Sequence, residues 1–549
     1  MLRASQINGG LLFVVALAAG IAGCSDNDSI GDSGGAGGEL AGSAGKAGGG
    51  AGHGSAGASG RANGGSTGKA GDTSTGGDTS GGGDTSGGGG SGAPAGGNVS
   101  VGGAGASAGA GTAGAGTAGA VQGAGAGGEA GADGELAGAG GEAGAGTGPS
   151  GGTDGALLVA SAMNVATDNS GTRVCADGGD AVSYSVTVLG SSAVTLAAAP
   201  SAGCLNVGDE VLLINLQGTA TDSANVGNYE TLKVSGVAGS EVTFSTPKAR
   251  SYGNALGEDS NIGVERTNQR VMLQRVPNYA SLTVNAESTL TGSTWDGVKG
   301  GVLFVRASGA VSIAGTVTMS GKGYDGGPTM TTVNTNGRQG ESYNGLGSNQ
   351  STASKGGGGG GLGDGNDCES YGTSGGGAAY GAPGAAGSNF CSGAGGEAYG
   401  EASLLTKLML GSGAGSGGTD DYLGDNPPGG FGGRGGGVVV ILAQQVTITG
   451  NVLAAGGNGQ GDPANFQCDN GGSVTSCWDY SGPGGGGSGG SILFDVAEAT
   501  LGADLVAAPG GLGSYGNPSG KGGDGGVGRI ALKSSSAPVG STMPIATLD

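Results

Sequence analysis

A segment that recurs along the second half of the chain constrains its fold more than any other feature. It reads GGVLFVRASGAVSIAGTVTMSG at Gly300–Gly321, GGVVVILAQQVTITGNVLAAGG at Gly436–Gly457 and GGSILFDVAEATLGADLVAAPGG at Gly489–Gly511, with a partial copy from Gly526. Each copy contains an apolar strand, a turn, an alternating strand, a small residue and a third strand. One copy cannot bury its own apolar side, so we expect the copies to stack as coils of parallel strands.

The alignment of the copies predicts which residues lie above one another. With one gap, the first two copies match at Val311 with Val446, Ile313 with Ile448, Gly315 with Gly450, and Val317 with Val452. The third copy places Ala499, Leu501, Ala503 and Leu505 at those four positions. The pattern predicts an all-β fold, a parallel β-helix.

Glycine accounts for 142 of the 549 residues, and much of it lies between the copies. The longest such segment runs from Gly321 to Gly435. Because these segments offer few side chains to pack, we expect them to be loops extruded from one side of the stack. Within these loops we expect the glycine runs either to be disordered or to pack backbone to backbone as polyglycine helices.

The N-terminus has the layout expected of an export signal. Arg3 precedes the short apolar run Leu11–Ile21, and the small residues Ala22 and Gly23 lead to Cys24. The run is too short to span a bilayer. The layout resembles a bacterial lipoprotein signal, which implies cleavage before Cys24, acylation of Cys24 and a membrane as partner through the lipid. Ser25 favours the outer membrane, so we expect an exported protein, lipid-anchored at the outer membrane or cell surface.

Composition divides the chain into successive parts. After Cys24 the sequence is mostly Gly, Ala, Ser and Thr, too poor in apolar residues to offset chain entropy, and it is predicted to be a disordered tether. Short Val-, Ile- and Thr-rich runs begin at Ala156 and predict strands. The expected parts are a signal peptide 1–23, a tether 24–155, a β-rich lead-in region 156–270, a glycine-rich parallel β-helix 271–535 and a tail 536–549.

The lead-in region adds a resemblance to a known family. VGDEVLLINLQG begins at Val207, and NYETLKVSGVAGSEVTFSTPKARSY ends at Tyr252. These segments look like the region before the coils in bacterial and phage pectate-lyase-like β-helix proteins, and the resemblance covers about Gly208 to Lys533. It implies a right-handed parallel β-helix. In composition alone the chain also resembles PE-PGRS surface proteins, but it lacks their helical N-terminal domain.

Six cysteines remain once Cys24 is assigned to the lipid. An even number in an exported chain predicts disulfides, although six cysteines allow about 15 pairings. We favour pairing between neighbours, because each pair brackets a loop-like segment; the alternative is that some thiols are free. The pairs are Cys175 with Cys204, Cys368 with Cys391, and Cys468 with Cys477.

Several functions are disfavoured by what the chain lacks. Its net charge of −22 argues against nucleic acid as a partner, because phosphate binding needs a positive surface. Its single histidine, His53, lies in the predicted tether, so histidine-based triads and zinc sites are not expected in the folded region. No catalytic residue is assigned, and an enzyme would have to work through carboxylates.

Two groups of residues are candidate binding sites. Asp364, Asn366, Asp367 and Glu369 offer oxygen ligands for calcium, the one cofactor considered, against the alternative of a solvated acidic loop. Aromatic rings beside carboxylates suit stacking on sugars, against the alternative that they cover strand ends and glycine loops. The candidates for glycan binding are Trp295, Tyr324, Trp478, Asp479 and Tyr480.

These observations favour a non-enzymatic role. We predict a lipid-anchored bacterial surface protein with a structural or adhesive function and extracellular polysaccharide or other surface components as partners. The alternatives are a polysaccharide lyase or glycoside hydrolase that uses carboxylates on the β-helix, and a glycan-binding module without catalysis.

Overall fold

In the computed structural model, residues 152–171, 173–363, 372–388, 390–420, 428–461, 481–516 and 520–549 are described. They belong to one compact unit, 128–549, and contain strands and turns but no helix, and so none that could cross a membrane. The strands are β1 Ala156–Val159, β2 Met163–Asn164, β3 Ser183–Leu189, β4 Ala193–Leu196, β5 Glu210–Gln217, β6 Tyr229–Ala238, β7 Glu241–Phe244, β8 Arg270–Arg275, β9 Asn278–Tyr279, β10 Ser281–Val284, β11 Thr289–Thr291, β12 Val302–Ala307, β13 Ala310–Ile313, β14 Thr316–Thr318, β15 Val438–Ile448, β16 Asn451–Leu453, β17 Ser491–Ala507, β18 Tyr515–Gly516, β19 Gly520–Lys521, β20 Arg529–Ser534, β21 Val539–Met543 and β22 Thr547–Leu548.

Parallel strands form a coil with three faces. The first face contains β12, β15, β17 and β20, the second contains β1, β10, β13, β15, β17 and β21, and the third contains β2, β11, β14, β16, β17 and β21. Each strand pairs with the strand one turn above it rather than with the next strand in sequence. This is the parallel stack predicted by the repeat, while the handedness of the coil stays a prediction.

The register confirms most of the predicted alignment. Val311 pairs with Val446, Ile313 with Ile448, and Val317 with Val452. The third copy differs at its last position, because Val452 pairs with Val506 and not with Leu505. The corner of β17 contains irregular backbone, with a positive φ at Gly502 and at Asp504, and this shifts the following strand by one residue.

The first face of the coil is covered on both sides. Inside the coil, Leu303, Ile441 and Phe494 belong to a large apolar core. On the outer side, Phe304 and Val440 pack in a second cluster with residues of β5 and β8. This double burial explains why the first strand of each repeat is a continuous apolar run, whereas the other strands alternate.

The covering element is a closed antiparallel barrel. Its strand order is β3-β4-β7-β6-β5-β8. Alternate residues of β5 point in opposite directions: Val211 and Leu213 lie in the barrel core, and Leu212 and Ile214 pack towards the coil. The disulfide Cys175–Cys204, one of the predicted pairs, joins the chain before β3 to the loop before β5.

Strand pairing sets boundaries that differ from those expected for the lead-in region, the β-helix and the tail. β1 and β2 precede the barrel in sequence but pair with strands of the coil, and β8, expected in the β-helix, closes the barrel. Residues 536–549 were expected to be a tail, yet β21 and β22 pair with β17 and β20. These strands are too short or too polar to be recognised alone, and their partners are distant in sequence.

The glycine-rich segments that the structure describes pack against one another. Residues 411–420 are buried without belonging to a strand, and their backbone bonds to six other segments. Those segments are 324–327, 335–341, 358–361, 373–376, 430–436 and 482–488. We call the packed assembly of these and the similar segments 384–387, 393–396, 456–461, 510–514 and 522–528 the glycine bundle. Of the two expectations for the glycine runs, disorder or backbone-to-backbone packing, the second describes these segments.

The hydrogen bonds of the glycine bundle recur every three residues. Along two neighbouring segments that run in opposite directions, Gly411 donates to Gly436, Ala414 to Gly433 and Gly417 to Gly430. A repeat of three residues without internal hydrogen bonds is the geometry of the polyproline II helix, which glycine also adopts. Since successive residues point about a third of a turn apart, each segment can bond to neighbours all around it.

Candidate functional site

One end of the glycine bundle adjoins the strands of the coil, and the other end lies away from them. Segments leave the coil after its third face and return before its first, so Gly437 and Gly490 adjoin β15 and β17. The opposite ends of the segments lie together, as Gly418 bonds to Thr373 and Thr419 to Thr335. We call this far end, defined by Thr335, Gly363, Thr373, Ser388, Thr419, Gly461, Ser481 and Ser514, the distal end.

Exposed apolar side chains are found close to the distal end. Phe390 and Tyr515 are 77% and 76% exposed, and Leu512 is 61% exposed. Phe431 is also exposed. Its carbonyl accepts from the Gln460 N–H, and the adjacent Gly459 N–H donates to the Leu512 carbonyl, so Phe431 and Leu512 lie on neighbouring segments. Rigid scaffolds commonly carry binding residues on the loops at one end. These residues therefore form the best candidate for a binding surface among the described parts of the chain.

A charged pair adjoins the aromatic residue of this surface. Lys521 Nζ lies 2.6 Å from both carboxylate oxygens of Asp524 and 5.6 Å from the centre of the Tyr515 ring. Burial pushes the pKa of Asp524 up, but hydrogen bonds from Lys521 and from the Gly513 N–H outweigh it and leave that pKa below its ordinary value. The ring of Tyr515 is thus held beside an ion pair while its other face stays accessible.

Most of the candidates from the sequence lie outside the described residues. These are Asp364, Asn366, Asp367 and Glu369 for calcium, Trp478, Asp479 and Tyr480 for glycan, and the cysteines Cys24, Cys368, Cys468 and Cys477. Cys391 is disulfide-bonded, and its partner is also outside the described residues. The flanking residues Gly363, Gly461 and Ser481 are nevertheless all at the distal end.

Trp295 and Tyr324 have a structural position that excludes sugar stacking. Both are buried, at 1% and 0% exposure, and their rings meet edge to face with centroids 5.7 Å apart. Trp295 Nε1 donates to Glu341 at 3.0 Å, and the Tyr324 hydroxyl donates to the Leu216 carbonyl. The prediction that they bind glycan is wrong for these two side chains, because apolar packing between the barrel and the coil takes up both rings.

Glu341 is a buried carboxylate of the kind that a carboxylate enzyme could use, and its partners are structural. It accepts from Gln217 at 2.9 Å, from Trp295 and from the Asp325 N–H at 3.0 Å. Burial raises its pKa above the ordinary value, although these hydrogen bonds work in the opposite direction. With both oxygens engaged and no access to solvent, Glu341 fixes the barrel to the glycine bundle and cannot reach a substrate.

A second set of acids joins the barrel to the coil. Arg275 contacts Asp154 at 2.5 Å and Asp209 at 3.5 Å, while Arg306 makes a two-pronged contact with Glu210 at 2.7 and 2.8 Å. Each carboxylate faces an arginine at the junction between the two elements. Such pairs set the orientation of packed elements, and none of them is a pair of acids flanking a groove.

One group of side chains in the described part of the chain has metal-like spacing, and its chemistry rules out that role. It consists of Cys175, Asp177 and Cys204. The two sulfur atoms are bonded to each other, so neither is a thiolate. Asp177 accepts hydrogen bonds from Ser201 and Tyr184 instead.

No protein-family model and no curated protein sequence matches this chain. Among solved structures it matches the tailspike gp61 of Pseudomonas phage phi297 at 12% identity and a TM-score of 0.14, over 69% of this chain and 52% of that one. It also matches the tailspike gp49 of Pseudomonas phage LKA1 at 11% identity and a TM-score of 0.13, over 66% and 62%. The chain thus spans less than two thirds of either tailspike, and TM-scores this low carry no conclusion about fold or function.

Proposed function

We propose that this chain is a lipid-anchored bacterial surface protein that uses the distal end of its glycine bundle for adhesion. The observation that carries the proposal is the clustering of exposed Phe390, Phe431, Leu512 and Tyr515 near one end of an otherwise buried backbone scaffold. A cluster of exposed apolar and aromatic side chains is typical of a contact site. The expected partner is an extracellular polysaccharide, whose sugar rings stack on aromatic faces.

The anchor supports the same function. Acyl chains on Cys24 would hold the protein at a membrane, since more than one chain gives stable anchoring. Residues 24–155, if they behave as the flexible coil that their composition predicts, would have an r.m.s. span of roughly 60 Å. That length would let the distal end contact material well beyond the membrane. Replacement of Cys24 by serine should release the full chain from membranes, and a variant that still sediments with them would contradict the anchor.

The adhesive role is tested with the full chain in detergent on an array of bacterial polysaccharides. Replacement of Phe390 and Tyr515 by alanine should lower binding about thirtyfold, because each aromatic contact contributes about 1 kcal/mol and the two together about 2 kcal/mol. Leu256→Ala on the barrel is the matched control, since Leu256 is as exposed (78%) but distant in sequence from the bundle.

The outcomes separate adhesion from the alternatives. Equal binding by the double variant and by the wild type would refute the distal end as the contact surface. Release of reducing sugar or of unsaturated products during incubation would instead support the polysaccharide-active enzyme. Binding of no polysaccharide and no bacterial surface would leave a purely structural role.

A further inference from the structure

The two ends of the coil are closed to different extents. In the first turn, the inward-facing Leu157 and Val159 of β1 are only 5% and 2% exposed. Val165 and Ala181 belong to the same apolar core, and the Ala181 N–H donates to the Val165 carbonyl at 2.8 Å. The chain that follows β2 therefore closes the core at this end.

The last turn leaves the same core open. One inward-facing column of the first face contains paired residues of five strands, namely Val305, Ile441, Phe494, Leu532 and Leu548. The first four belong to the core and are at most 1% exposed. Leu548, at the end of the column, is 65% exposed. A side chain at a core position is exposed to this extent because no further turn of the described residues covers it.

The surface around Leu548 is apolar and uncharged. Val539, Met543 and Ile545 belong to the same last turn and are 64%, 48% and 91% exposed. No charged residue occurs from Ser534 to Leu548. The terminal unit of a stacked fold normally has a polar outer face, which keeps a single copy soluble. This end instead has the composition of a contact surface.

The backbone of the last turn also has free hydrogen-bonding groups. Among the described strands, β21 pairs only with β17, and β22 pairs only with β20. The outer edge of each strand thus presents N–H and C=O groups without a strand partner. Such an edge can be extended by a strand of another chain, and charged residues that would prevent this are missing here.

A second copy of this chain fits the open end better than other partners do. It offers an end with the same three faces, the same uncharged surface and the same free strand edges. The first turn of another copy offers no open core, so the contact must join last turn to last turn. The net charge of −22 makes two copies repel each other, and this repulsion is smallest where both surfaces are uncharged.

We propose that two copies associate end to end through their last turns, related by a twofold axis. The axis makes the two β21 edges antiparallel, and the contact buries Ile545 and Leu548 of both copies. The chain before β1 joins the coil at the opposite end and is left clear of the contact. The pair would carry two distal ends, whose joint binding to one surface is tighter than that of either alone. The association itself does not depend on adhesion.

The test is sedimentation velocity of the full chain over a dilution series, in detergent matched to the buffer density and with micelles in excess. The wild type should change from two chains to one on dilution. Ile545→Asp should raise the dissociation constant about a hundredfold, because a twofold contact contains the substitution twice and each copy contributes about tenfold. Ile545 is 91% exposed, so the substitution should leave the fold intact.

Leu158→Asp is the matched control, since Leu158 is 60% exposed on β1 at the other end of the coil. It should associate like the wild type. A second measurement is hydrogen exchange of the β21 amides. These amides should exchange more slowly as the wild-type concentration rises, and Ile545→Asp should not show this change.

Four outcomes would overturn the proposal. The wild type could sediment as one chain at every concentration, or Ile545→Asp could associate as tightly as the wild type. Leu158→Asp could weaken association as much as Ile545→Asp, which would indicate head-to-tail stacking. Slow exchange of the β21 amides in a single chain, independent of concentration, would mean that another part of the same chain covers the end.

Discussion

The barrel and the glycine bundle fill their interiors in opposite ways. In the barrel, side chains such as Leu213, Val234 and Phe244 occupy the space that the strands enclose. In the bundle, Gly415 lies so close to a neighbouring segment that an added Cβ would be 1.8 Å from the Gly359 carbonyl oxygen. The barrel thus depends on large side chains that fill its interior, whereas the bundle depends on the absence of side chains where its segments meet.

This difference shows that a protein interior can be built from backbone alone. Buried peptide groups are acceptable only when they are hydrogen-bonded. The three-residue repeat satisfies that requirement in several directions at once, whereas a strand bonds only to two neighbours. Side chains occur in the bundle where space remains, as at Ala414, or where a hydroxyl accepts a hydrogen bond in place of a carbonyl. Ser416 is of the second kind, because its hydroxyl accepts from the Arg338 N–H at 2.8 Å.

The sharpest test of this comparison adds one carbon atom to the bundle. Gly415→Ala should destabilise the protein by about 4 kcal/mol or more, because the new methyl group would meet the backbone of Gly359 and Gly360, which cannot easily move away. Urea unfolding measures the loss, and hydrogen exchange of the bundle amides locates it.

The matched control for that test is Gly190→Ala in the barrel. Its nearest neighbour would be the Ala193 oxygen at 3.5 Å, an ordinary contact, so a change within about 0.5 kcal/mol is expected. If Gly415→Ala were as mild as Gly190→Ala, the close approach of the segments would be disproved.

The barrel is tested by removing side-chain atoms rather than adding them. Leu213→Ala removes a fully buried side chain and should cost about 3 kcal/mol through lost burial and the cavity left behind. Leu256→Ala, at an exposed position, should be nearly neutral in the same urea titration. Equal effects of the two substitutions would contradict the side-chain core, and Leu213→Ala should leave exchange of the bundle amides almost unchanged.

Lowering the pH should change the stability of the barrel but not that of the glycine bundle, and by less than the substitutions above. Hydrogen bonds from the Ser201 side chain and N–H, aided by Tyr184 and opposed by burial, lower the pKa of Asp177 below its ordinary 3.8. A lowered pKa in the folded state stabilises the fold above pH 3.8, and that contribution is lost as the pH falls below this value. Asp177 is solvent-exposed, so the effect should be below about 1 kcal/mol.

Asp177→Asn is expected to flatten the pH dependence of barrel unfolding in urea below pH 4, by about the same amount. Segment 411–419 contains no titratable side chain, so exchange of its amides should show no matching change. An undiminished loss of stability in Asp177→Asn would assign the acid sensitivity to other carboxylates.

Sequence patterns predicted the coil because its strands obey side-chain periodicity. The pairing of Val317 with Val452 was readable from the repeat, and the Cys175–Cys204 disulfide from local spacing. The closed barrel was not predicted as such, since its strands are ordinary alternating runs and only their distant pairing makes it closed. The hand of the coil stays a prediction.

The glycine bundle and the site were harder to predict for a physical reason. Hydrophobic patterns report which side chains are buried, and a segment such as 411–419 buries mainly peptide groups. Its order depends on hydrogen bonds to segments that are distant in sequence, such as the bond from the Tyr324 N–H to the Gly411 carbonyl. Trp295 was misjudged for a related reason: its indole donor has a buried carboxylate partner, Glu341, that is distant in sequence. The exposed Phe390 and Tyr515 carry no local signal that distinguishes them from core aromatics.

The backbone core also affects how the protein responds to heat and cold. Unfolding that exposes apolar surface raises the heat capacity, whereas exposure of polar surface lowers it. The bundle would therefore add little to the heat capacity of unfolding, in contrast to the barrel. A small heat-capacity change gives a shallow curve of stability against temperature. The segments that carry Phe431 and Leu512 should accordingly keep their arrangement over a wider thermal range than an equally large apolar core would allow.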